Sequence, residues 1–131
     1  MGRTNDLRLL VEMTLQNVKT KFGLAQNSIT YRLASDKTMF PHIVYTITGM
    51  TPTDEGREDY TVDFDIWTKD QILALEIEDF IVDLFSFRND PRKNILPTFY
   101  LVSTGNLEDQ DKTLCHSVVR FEVQNYRRVQ S

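Results

Sequence analysis

Asp63 and Asp65, in the stretch YTVDFDIW (residues 60–67), are the side chains of this sequence best placed to do chemistry. Read as a strand, the stretch puts Val62, Phe64 and Ile66 on one face and Thr61, Asp63, Asp65 and Trp67 on the other. Two carboxylates on one face can hold a divalent ion or work as an acid/base pair. LCHSVVRFEVQNY (114–126) alternates in the same way, with Ser117, Val119, Phe121 and Val123 on one face. His116, Val118, Arg120, Glu122 and Gln124 share the other. If the two strands pair or lie close, a metal-dependent hydrolase or nuclease can be drawn with Asp63, Asp65 and His116 as ligands. The competing reading is a half-solvated antiparallel face with cross-strand ion pairs, such as Asp65 with Arg120. Plain alternation favours the second reading, because catalysis needs a convergence that spacing alone does not supply.

The other reactive residues point less clearly. Cys115 and His116 are neighbours in a strand and so face opposite ways, which excludes them as a nucleophile pair; Cys115 with the distant His42 stays open. The five glycines form no GxGxxG or GxxxxGK[ST] loop, and neither a GxSxG elbow nor an HExxH helix is present. Tyr100 and Tyr126 can stack bases, but neither lies in a basic, glycine-flanked strand. No cofactor or metal site is expected.

The elements that position these residues are readable from periodicity. Leu7, Leu10, Val11, Thr14, Leu15, Val18 and Phe22 make one side of a first helix, with Thr4 or Asn5 as its cap and Gly23 as its stop. A long loop at 23–39 follows, with room for a short strand at Ser28 to Leu33. FPHIVYTITG (40–49) is a strand led by Pro41, and it forms an antiparallel hairpin with YTVDFDIW across a polar loop at 50–59. The period then changes to helical. Thr68 and Gln71 fit a capping box, with Trp67 and Ile72 as its staple, and the helix runs to about Ser86. Its buried stripe is Leu73, Ile77, Phe80, Ile81 and Leu84; Leu75 and Val82 lie outside that stripe, so the helix is buried on more than one side or meets a partner. Arg88, Arg92 and Lys93 cluster after it, between Phe87 and Pro97. FYLVS (99–103) is a third strand, joined to the fourth by an acidic turn at 105–113, and Arg127 and Arg128 follow the fourth. The order is α-β-β-α-β-β: a single α+β domain over 1–131, an antiparallel sheet of about four strands flanked by two helices.

Composition narrows the function. The 131 residues are 40% hydrophobic and 26% charged, as in an ordinary globular domain. No apolar run is long enough to span a bilayer, so no membrane partner is expected. The N-terminus has neither a cleavage site nor the Ser or Thr of a myristoylation motif, since Asp6 stands there. One cysteine allows no internal disulfide, so folding in a cytoplasm is the default. A net charge of −4 disfavours sequence-specific DNA binding.

The ordered segments FPHIVYTI, YTVDFDIWT, KDQILALEIEDFIVDLF, FYLVS and HSVVRFEVQNYR resemble the small tail-completion proteins of long-tailed bacteriophages, also called tail terminators or head–tail joining proteins. The resemblance covers residues 40 to 126 best and rests on order, length and the strand-to-helix junction. It implies a non-enzymatic virion protein at the tail–head junction, or neck, assembled in the bacterial cytoplasm. Such proteins form a ring, commonly a hexamer, that ends growth of the tail-tube protein and meets the head-connector or stopper protein. DNA passes through the channel without specific binding. A heterologous ring needs two different patches on each subunit; candidates are Leu75 with Val82, and the face carrying Asp63, Asp65, Arg120 and Glu122. The rivals are the hydrolase or nuclease above and a ferredoxin-like adaptor that dimerises through its sheet.

Overall fold

The computed structural model describes residues 3–25, 28–32, 40–49, 57–86, 95–107 and 114–127. Two helices, α1 (Arg3–Phe22) and α2 (Gln71–Phe85), accompany five strands: β1 (Ile29–Tyr31), β2 (His42–Gly49), β3 (Arg57–Thr68), β4 (Ile95–Leu107) and β5 (Cys115–Arg127). The sheet order is β1-β2-β3-β5-β4, antiparallel throughout except where β1 lies parallel to β2. The α+β class, the β2–β3 hairpin and the β4–β5 hairpin are as the sequence indicates. The fifth strand, β1, stands within the stretch set aside for it inside the first loop, and ends where Arg32 takes a φ of 69°.

Alternation decides which side of the sheet the helices cover. Ile43, Tyr45 and Ile47 of β2, Val62, Phe64 and Ile66 of β3, and Val119, Phe121 and Val123 of β5 form one core with Leu7, Leu10, Val11, Leu15 and Val18 of α1 and Ile77, Ile81 and Phe85 of α2. Phe64, Phe85, Phe99 and Phe121 meet there at ring centroid separations of 4.8 to 6.1 Å. The expected face of α1 is the buried one, and Thr14 is tolerated within it because its hydroxyl donates to the Leu10 carbonyl at 2.7 Å. Gly23, at φ 62°, ends α1 as expected, and Leu24 N–H reaches back to the Lys19 carbonyl at 3.0 Å.

Several boundaries move. The first helix is already under way at Arg3, upstream of the expected caps Thr4 and Asn5. β3 begins at Arg57 and β4 spans Ile95–Leu107, so both strands are longer than the apolar cores that announce them. The rest of the loops, at 33–39, 50–56 and 108–113, lies outside the described residues, as do Arg88, Arg92, Lys93 and Arg128. The cap of α2 is Asp70, not Thr68: Asp70 Oδ1 accepts from Ile72 N–H at 2.9 Å and Leu73 N–H at 3.4 Å. Thr68 is still paired in β3, and its hydroxyl donates to the Asp70 carbonyl. The buried face also differs from the expected stripe: it holds Ala74, Ile77, Glu78, Ile81 and Phe85, while Leu73, Phe80, Val82 and Leu84 pack at the margin.

Candidate functional site

The side of the sheet turned away from the helices gathers the candidate residues. β3 and β5 pair with Asp63 opposite Arg120, Asp65 opposite Val118 and Trp67 opposite His116. Arg120 grips Asp63 with two hydrogen bonds, Nε to Oδ1 at 2.7 Å and Nη2 to Oδ2 at 3.1 Å. The expected Asp65–Arg120 pair is therefore replaced by the directly opposed one. A planar guanidinium meets a carboxylate best when both stand on one row of the ladder. That bond, followed by the Asp63 charge itself, raises the pKa of Arg120. Asp65 is held instead by His116 on the diagonal, whose Nε2 donates to Oδ1 at 2.8 Å. Glu122, half-exposed, stands opposite Thr61 on one side and Tyr100 on the other.

A second feature has no counterpart in the sequence pattern. His42 on β2, Trp67 on β3 and His116 on β5 occupy one row of the ladder, and neighbouring strands lie ~4.8 Å apart, which is stacking distance for flat rings. Trp67 is accordingly sandwiched, 4.8 Å from His42 at 13° and 4.1 Å from His116 at 18°. Phe40, two residues before His42 in the chain, lies against the His42 ring at 5.5 Å and 47°, and the Lys69 ammonium lies 5.4 Å over the Phe40 ring. The staple of Trp67 with Ile72 does not form; Ile72 is 68% exposed. His42 is only 6% exposed, and among the described residues neither of its ring nitrogens has a hydrogen-bond partner. Burial lowers its pKa, with the nearby His116 adding to the shift.

This geometry limits the chemistry. Both carboxylates are engaged, and among the described residues no three His, Cys, Asp or Glu side chains converge as a metal set. Cys115 and Ser117 flank His116 in sequence and therefore point to the helix side; Ser117 Oγ donates there to Asn106 at 2.9 Å. The same alternation keeps Cys115 from His42, which shares the stacked row with His116. Beside the ion pairs an open groove of ≈ 370 Å³ runs between Asp63, Asp65 and Arg120 and the Ser103–Leu107 end of β4. Leu75 is 46% exposed near the start of α2, whereas Val82 is half-buried against the core, so the two do not form one exposed stripe. Among the described residues no helix is long and apolar enough to cross a membrane.

No protein-family model matches the chain, and no curated protein matches it in sequence. Among solved structures, it is similar in fold to a chain from the virion of a native gene transfer agent particle. The TM-score is 0.67, over 88% of this chain and 91% of that chain, at 6% identity. At that identity the likeness is one of fold.

Proposed function

We propose that the chain is a structural virion protein of a phage-like particle, forming a ring at the head-proximal end of the tail. There it ends growth of the tail tube and joins tail to head. The observation that carries this reading is the likeness in fold, over nearly the whole of both chains, to a chain of the gene transfer agent virion. The tail-completion resemblance of the sequence points the same way. The open face supports it: Asp63 and Asp65 are both engaged by side chains of the same subunit, as suits a wall and not a reaction centre. A net charge of −4 suits a channel that DNA slides through without being held. Its partners in this reading are further copies of itself, the tail-tube protein and the head connector.

Removing the gene from a particle-producing strain tests the reading. The expected result by electron microscopy is tails of uncontrolled length that carry no heads. Infectious particles with tails of normal length would overturn it.

A further inference from the structure

The sheet has two unlike edges. At one, β1 covers β2 only from Ile43 to Tyr45, and among the described residues no strand pairs with the outer side of Thr46–Gly49. At the other, β4 is the outermost strand. From Thr98 to Leu107 it reads TFYLVSTGNL, ten residues without a charge, and every residue from Tyr100 onward is exposed. Tyr100, Leu101, Val102 and Leu107 are 40% to 55% exposed. Monomeric proteins usually guard an edge of this kind with charge, proline or a bulge. Here Pro97 stands near the start of the strand and the bulge lies between Leu101 and Ser103, so both precede Ser103–Leu107 and leave that stretch free to pair.

We propose that copies of this chain join edge to edge, β4 of one adding as an antiparallel strand beside Thr46–Gly49 of the next. The inference rests on the ring reading above and names the contact that would close the ring. Strand direction supports a second copy as the occupant. β2 is antiparallel to β3, β3 to β5 and β5 to β4, so β4 runs opposite to β2 within each subunit. Rotation about an axis along the strands preserves those directions, so β4 of one subunit meets β2 of its neighbour antiparallel, the commoner pairing. The contact is heterologous, which is what a closed ring requires. A closed ring gives every subunit two such contacts.

Site-directed cross-linking within assembled particles tests this. In a Cys115→Ser background, Thr48→Cys and Ser103→Cys are introduced singly and together, and particles are treated with a short bis-maleimide. Both positions lie on the open face, so neither substitution enters the core. The expected result is a ladder of trimers and larger species from the double variant and none from either single variant. Dimers from Ser103→Cys alone would overturn the proposal in favour of β4 pairing with β4. Particles that contain the double variant but give no ladder would overturn the edge contact and leave the ring reading standing. If the wild-type chain is absent from particles, the ring reading fails and this inference with it. As a second measurement, Val102→Lys should keep the thermal midpoint of the wild type yet lose incorporation into particles; normal incorporation would count against the edge.

Discussion

The two faces of the β3–β5 pair are made from alternate residues of the same strands, yet different forces hold them. On the helix side, Val62, Phe64, Ile66, Val119, Phe121 and Val123 are completely buried, and each is constrained by volume on several sides. On the open side, Asp63, Asp65, Trp67, His116 and Arg120 are each constrained by the residue standing opposite or diagonal to it. A change on the first face is felt by the whole core. A change on the second is felt by one row of the ladder, which leaves that face free to be shaped by whatever it meets in an assembly.

The sharpest contrast compares one aromatic from each face. Phe64→Ala removes a ring that touches both Phe85 and Phe121, and should cost ~3–5 kcal/mol in chemical denaturation. Trp67→Ala removes two stacking contacts at a half-exposed position, and should cost about 1–3 kcal/mol. Equal losses for the two variants would break the distinction between the faces.

Next in size is a pH effect confined to the open face. The pKa of His42 is lowered from the ordinary 6.5 by burial, so the folded state holds the ring neutral where the unfolded chain binds a proton. Its contribution is fully present above 6.5 and is lost as the pH falls below that value toward the folded pKa. The slope from this one group is at most ~1.4 kcal/mol per pH unit. Unfolding free energies measured downward from neutral pH should show this fall, and His42→Phe, which keeps a flat ring against Trp67, should reduce it. An unchanged slope in that variant would remove His42 from the account.

The helix-side face was legible because burial leaves a period in the sequence. Leu7 to Phe22 and the alternation through Val62, Phe64 and Ile66 need no knowledge of a partner strand. The open face was legible only as polar. Which acid meets Arg120, and that His42, Trp67 and His116 share a row, depends on register across segments far apart in the chain. The loop lengths that fix this register carry no periodic signal. The cap of α2 was missed for a related reason: Thr68 and Asp70 are both good caps, and pairing of Thr68 with Cys115 in the sheet decides between them. Outside a sheet Thr68 would compete; inside one its backbone is already committed.

The smallest expected effect bears most directly on what the open face is for. Asp63 and Arg120 form a two-pronged pair, but the arginine side chain is 50% exposed and the aspartate 23%. Water and salt weaken the attraction between them, so the coupling energy from a double-mutant cycle with Asp63→Ala and Arg120→Ala should be ~0.2–1 kcal/mol. It should also shrink as salt is raised, because exposed charges are screened. A coupling above ~2 kcal/mol would be the size of a desolvated pair and would make this face a second source of stability. A small coupling leaves the arrangement without an account in the isolated subunit. The test then moves to the particle, where Arg120→Ala should lower incorporation of the chain while its thermal midpoint stays near the wild-type value. Normal incorporation would mean that the Asp63–Arg120 row is ordinary solvated surface, and that any contact between copies runs through the sheet edges alone.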